Sequence, residues 1–155
     1  MTVAYVEGDP LLTRQHTLAF AHNAGGRAET GPLETRLHYS FPAAFAAYRK
    51  RCRAGRVSAG ALWLWRESQP ALCFVVARET PAGVVRARYV EAALLTLARD
   101  YRLEGIRSLA LAPLAPLAEW DALLPLFARW LAASALPCVI YRRYLPGVDG
   151  EAGLA

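Results

Sequence analysis

The sequence predicts an α/β protein, a three-layer α/β/α sandwich with a central mixed sheet. Three observations lead there. Apolar strand-like runs alternate with segments of helical periodicity, the pattern of a sheet covered on both faces. Residues 17–21 (TLAFA) are apolar without interruption, as a strand buried on both sides must be. Residues 61–65 and 72–76 are joined only by a short link ending at Pro70, which favours an antiparallel hairpin and makes the sheet mixed.

The elements follow in order. Residues 3–7 (VAYVE) are β-rich and stop at Gly8-Asp9-Pro10. The buried strand at 17–21 runs into His22-Asn23 and a loop containing Gly25, Gly26 and Gly31. A short helix lies within 32–39. Ser40 is placed as the N-cap of a second helix, with Pro42 just inside it and Phe41, Phe45, Tyr48 and Cys52 on one face. After the hairpin, Val90, Leu94, Leu97 and Tyr101 mark a long helix over 86–102, ended by Gly105. A short buried strand at 108–112 enters the stiff apolar loop 113–117. The last helix is placed at 121–133, with Leu123, Leu124, Phe127 and Leu131 inward and Pro125 in its first turn. Residues 138–141 close the sheet.

At 155 residues, 55% hydrophobic and 20% charged, the chain reads as one globular domain over residues 1–145, with a loose tail at 146–155. No apolar run has the length of a membrane span, and the first residues lack the layout of a signal peptide, so a cytoplasmic protein without membrane contact is expected. Cys52, Cys73 and Cys138 form no close pair and read as buried apolar residues. His16, His22 and His38 have no ligand spacing, so neither a metal nor a cofactor is expected. The net charge of +5 is concentrated at Arg49, Lys50, Arg51, Arg53 and Arg56. That cluster suits a solvated helix C-terminus, and nucleic-acid contact is the alternative.

The stretch from strand to glycine loop to Pro32 carries the functional reading. Strand, glycine loop and helix start in that order build anion sites at the carboxyl edge of α/β sheets. From the residues alone, Asp9 is read first as the cap of its own turn, while Asn23 as a strand end and the adjacent glycines as a tight loop stand as alternatives to ligand roles.

Taken together, Val6-Glu7-Gly8-Asp9, the strand ending in Asn23, the glycine loop, Phe41 to Tyr48 (FPAAFAAY) and Gly105 to Leu111 (GIRSLAL), with Trp120 after the next loop, resemble the macro domain family. The resemblance is greatest to the subgroup that removes ADP-ribose from nucleic acid or protein carboxylates. It implies ADP-ribose across the carboxyl ends of the strands. Asp9 would accept from the adenine amino group, Asn23 would face the distal ribose, and N–H groups near Gly25, Gly26 and Gly31 would hold the diphosphate or the distal ribose. Ala115 and Trp120 would belong to the second ligand loop. That loop has no glycine here, and Pro116 lacks an N–H, which implies weaker binding. Glu29 stands beside the expected diphosphate. The subgroup's lysine after the middle hairpin is missing from Ala77-Arg78-Glu79, and arginine cannot serve as a nucleophile.

The resulting expectation is a module binding ADP-ribose, a related nucleotide or an ADP-ribosylated macromolecule, with weak or no catalysis. One alternative is an active ADP-ribosyl hydrolase using Asn23, with Glu29 or Glu79 assisting proton transfer. The other is a partner-binding domain without a small ligand, whose contact surface is the 113–117 loop and Trp120. A cleft between the loop after Asn23 and the loop after Ala112 would favour a ligand.

Overall fold

The computed structural model describes residues 3–81 and 83–154. Its centre is strand β2 (Thr17–Asn23), in which all seven residues are buried. The other strands are β1 (Val3–Gly8), β3 (Leu62–Trp65), β4 (Ala71–Arg78), β5 (Leu109–Leu111) and β6 (Cys138–Tyr144). They form one sheet in the order β1-β6-β5-β2-β4-β3. β2 pairs in parallel with β4 and β5, and β6 in parallel with β5 and β1. Only β3 runs antiparallel, against β4, as the hairpin pattern requires.

Period-two alternation in β2 and β4 divides the core into two layers. Leu18, Phe20, Leu72 and Phe74 face helices α1 (Pro32–Ser40) and α2 (Pro42–Arg53). Ala19, Ala21, Cys73 and Val75 face α3 (Ala87–Asp100) and α4 (Leu117–Leu131). This is the three-layer α/β/α sandwich with a mixed sheet that the sequence implies. No helix among the described residues is long and apolar enough to cross a membrane.

Three local expectations are corrected. Ser40 is the last residue of α1, not the cap of α2; Phe41 alone joins the two helices, and its N–H donates to the Leu37 carbonyl. α4 begins at Leu117 rather than 121, so Pro125 lies well inside it on the exposed side. The buried stripe Trp120, Leu123, Phe127 and Leu131 continues N-terminal of Pro125 and draws the first turn into the helix.

The third correction concerns the tail. Residues 147–151 are tied to the end of β1 rather than loose. Gly147 donates to Asp9, and the Asp9 N–H donates to the Val148 carbonyl. A Cβ on Gly8 would fall 2.6 Å from the Gly150 nitrogen, and one on Gly150 2.5 Å from the Glu7 carbonyl oxygen, so the two backbones touch only because both residues are glycine. Glu151 is 1% exposed and accepts from Thr13 Oγ1, the Arg14 N–H, Gln15 Nε2 and Tyr141 Oη. Burial alone would raise its pKa, but these four donors outweigh it and hold the carboxyl below its usual value.

Candidate nucleotide cleft at the carboxyl edge

The parallel strands all end at the same edge, and a cleft of about 530 Å³ lies there between the loop after β2 and the loop after β5. Its volume falls within the range of small-molecule sites. Glu29 to Glu34 form one wall, Pro113 to Leu117 the other; Arg78 stands at the β4 end and Arg142, Arg143 and Tyr144 at the β6 end. Three strand-to-strand steps separate those ends, about 14 Å.

Two helices start on this cleft. α1 has Gly31 as N-cap and Pro32 in its first turn. The Glu34 carboxylate folds back against Gly31, so that helix start already carries an anion of the chain's own. α4 has Pro116 as N-cap, and the N–H groups of its first turn have no acceptor within the helix. The glycine-free second loop therefore presents amides after all, through the early start of α4 rather than through a glycine nest.

The expected site residues part into two groups. Gly31 and Ala115 line the cleft. Trp120 also borders the cleft, yet it is 0% exposed, donates from Nε1 to the Tyr141 carbonyl and packs edge-on against Phe127. Its burial takes Trp120 out of the contact surface expected of it and the 113–117 loop, in which Pro116 and Leu117 remain exposed. Gly25 and Gly26 do not line the cleft. Gly26 takes φ +69° and lies against Arg49 and Cys52 of α2, where a Cβ would be crowded at 3.0 Å.

Asn23 is 0% exposed, and its amide is spent on its own loop. Oδ1 accepts from the Arg27 N–H at 3.2 Å, and Nδ2 donates to the Arg27 carbonyl at 2.9 Å and to Glu29 Oε2 at 2.7 Å. Its backbone carbonyl accepts from Tyr48 Oη, and its N–H donates to His22 Nδ1. His22, packed among Phe45, Tyr48 and Phe74, is pushed down to about 4 by burial, so the ring is neutral.

Asp9 is also 0% exposed, and it does cap its own turn: Oδ1 accepts from the Leu11 N–H at 3.0 Å. Oδ2 accepts from Arg36 Nη1 at 2.5 Å and from the Gly147 N–H at 2.9 Å. Burial would raise its pKa; Arg36 and the two amides outweigh that and lower it. Arg36 also donates to Tyr144 Oη. Glu79 accepts from Tyr89 Oη of α3 and does not line the cleft, whereas Glu29 does.

The cations that face the cleft are ones the sequence did not single out as ligands. Arg142 and Arg143 continue β6 past its apolar part, and this pair of cations between Tyr141 and Tyr144 is the available signal. Arg78 is 9% exposed. Its Nε lies 3.7 Å from Glu29 Oε2, a charge contact too long for a hydrogen bond, and this buried nitrogen has no hydrogen-bond partner among the described residues. Arg49, Lys50, Arg51, Arg53 and Arg56 are exposed at the end of α2, and none lines the cleft.

Comparison with solved structures places this arrangement. The macrodomain of Thermus aquaticus DarG superposes with a TM-score of 0.79 over 93% of this chain and 98% of its own, at 23% identity. Thermosipho africanus DarTG in complex with ADP-ribose gives a TM-score of 0.84 over 96% of this chain and 43% of its own, at 25% identity. The chain is a macro domain by fold. Among curated proteins, a DNA ADP-ribosyl transferase–DNA ADP-ribosyl glycohydrolase fusion protein of Thermosipho africanus is 24% identical over 161 residues, 90% of this chain. The chain spans 41% of the length of that relative. No family model matches the sequence.

Proposed function

We propose that this macro domain binds ADP-ribose or a closely related nucleotide in the carboxyl-edge cleft, with weak or no catalysis. The observation that carries the reading is the meeting of the α4 N-terminus with Arg78, Arg142 and Arg143 around one cleft. Aligned amides and guanidinium groups are the two devices by which proteins hold a diphosphate. The solved relative with ADP-ribose bound supports the choice of ligand. Weak catalysis follows from the local chemistry: the Asn23 amide is already occupied, and Arg78 stays protonated and offers no nucleophile.

The test removes one amide without unfolding the helix. Proline is tolerated at the first helical position, so Leu117→Pro deletes the first α4 N–H and keeps the fold. ADP-ribose binding by calorimetry falls about tenfold in this variant, the worth of one hydrogen bond to a charged group. Unchanged affinity removes α4 from the site. Hydrolysis is the second reading, favoured by the Glu29 carboxylate in the cleft and by the glycohydrolase named in the curated relative. Release of ADP-ribose from ADP-ribosylated DNA, lost in Glu29→Gln, would establish it in place of simple binding.

A further inference from the structure

We propose that a cavity at the amino edge of the sheet is a further ligand site, which takes a nucleotide through its phosphate and its base. The cavity has a volume of about 570 Å³, in the range of small-molecule sites, and shares no lining residue with the carboxyl-edge cleft. The length of β2, about 20 Å, separates the two. Its walls are the segments that enter β2 and β5 and the link between β3 and β4.

Cations outnumber anions there. Arg14, Arg66 and Arg107 line the cavity, against Glu104 as the carboxylate. Arg66 Nε and Nη2 donate to the Glu104 carbonyl, and Nη2 also to its carboxylate at 2.5 Å. Those bonds fix the guanidinium and leave Nη1 unspent among the described residues. Arg14 uses Nη2 on Asp149 and keeps Nε and Nη1. The Arg107 guanidinium meets no carboxylate among the described residues. His16 Nδ1 accepts from the Arg107 N–H at 3.5 Å and stands 2.8 Å from Thr17 Oγ1, so the ring proton sits on Nε2, a further donor. Guanidinium groups with donors to spare around one cavity complement a phosphate, whose oxygens accept from several donors at once.

A separate observation extends the ligand from phosphate to nucleotide. Trp65 lines the same cavity and is half-buried. An indole face beside arginines is a way to hold an unpaired base next to its phosphate. The neighbouring groove of about 460 Å³ shares Leu64, Arg66 and Glu104 with the cavity and reaches Arg51, in the basic cluster at the end of α2. Asp100 also lines that groove, and its charge is met by Arg99. A free nucleotide fills the cavity alone, whereas a single strand of nucleic acid continues along the groove to Arg51.

The experiment is calorimetry of the whole chain with deoxycytidine monophosphate, deoxycytidine, inorganic phosphate and a decamer of deoxycytidylate. The monophosphate binds about tenfold more tightly than the nucleoside, which lacks the phosphate, and than inorganic phosphate, which lacks the base. Arg107→Gln, at an exposed residue, weakens the monophosphate about tenfold, and saturating ADP-ribose leaves the monophosphate bound. A decamer that binds more tightly than the monophosphate, with the gain removed by Arg51→Gln, makes the source a strand; equal affinities make it a free nucleotide. No binding at millimolar monophosphate, equal affinity for nucleotide and nucleoside, unchanged affinity in Arg107→Gln, or displacement by ADP-ribose overturns the site. Equal affinity for nucleotide and inorganic phosphate overturns the role of Trp65 and with it the nucleotide assignment. Failure of ADP-ribose itself to bind bears on the carboxyl-edge cleft alone.

Discussion

Two charge pairs at the carboxyl edge of the sheet, one behind the β6 end of the cleft and one in its β4 end, are in opposite states of satisfaction. At the β1–β6 end, Asp9 meets Arg36 and two backbone N–H groups, and the chain's own residues 147–151 lie over it. At the β4 end, Arg78 meets Glu29 at 3.7 Å and keeps a buried donor without an acceptor among the described residues. Both are carboxylate–guanidinium pairs. The first is complete and serves the fold; the second is incomplete and faces the cavity. A buried polar group with all its partners is structure, and one lacking a partner is the place to look for a ligand.

This contrast can be broken in several ways. The largest expected effect is on acid stability, through His22 in the aromatic core at the end of β2. Burial holds the His22 pKa at about 4 in the folded protein, against an ordinary value of 6.5. Between those values the unfolded chain takes up a proton and the folded one does not, so acid favours unfolding. Stability is full above about pH 6.5 and falls by about 3 kcal/mol towards pH 4. Urea unfolding across that range measures it, and His22→Gln flattens the His22 part of the slope.

Asp9→Ala should cost about 2–3 kcal/mol by urea unfolding, because it strands the Leu11 and Gly147 amides and removes the cap. A change in ADP-ribose affinity with no loss of stability would instead make Asp9 a ligand group. Gly150→Ala should cost about 2 kcal/mol, since its Cβ would meet backbone rather than a movable side chain. It acts on the closed end alone, so nucleotide affinity should change little.

The smallest effect is expected at neither end. Replacing Arg53 and Arg56 by Gln should alter stability by under about 0.5 kcal/mol. The same variant tests whether the cluster at the end of α2 serves as a nucleic-acid contact: a shallower salt dependence of binding to ADP-ribosylated DNA would support that role.

The sheet was legible because its signal is local. The unbroken apolar run of β2 and the short link before β4 determine burial and pairing through neighbouring residues. The cleft's position followed from the same signal, as parallel strands deliver their loops to one edge. The roles of its residues did not follow. Asp9 is completed by Gly147 from the far end of the chain and by Arg36 from the next helix, and nothing near Asp9 in sequence announces either. Asn23 looked like a ligand group because its short-range bonds to Arg27 and Glu29 depend on the loop's path, which glycines leave open. Arg78 was read by what it replaces, and its importance lies in a hydrogen bond it does not make. The start of α4 is not legible because two prolines compete for the first turn, and Pro116 rather than Pro125 sets it.

The most direct test is amide and arginine side-chain NMR of the whole chain titrated with ADP-ribose. The account predicts shifts at the Leu117, Ala118 and Glu119 amides and at Arg78 Nε. Shifts confined to Arg14, Arg66 and Arg107, around the cavity of about 570 Å³ at the opposite edge of the sheet, or no shifts at millimolar ligand, would contradict it.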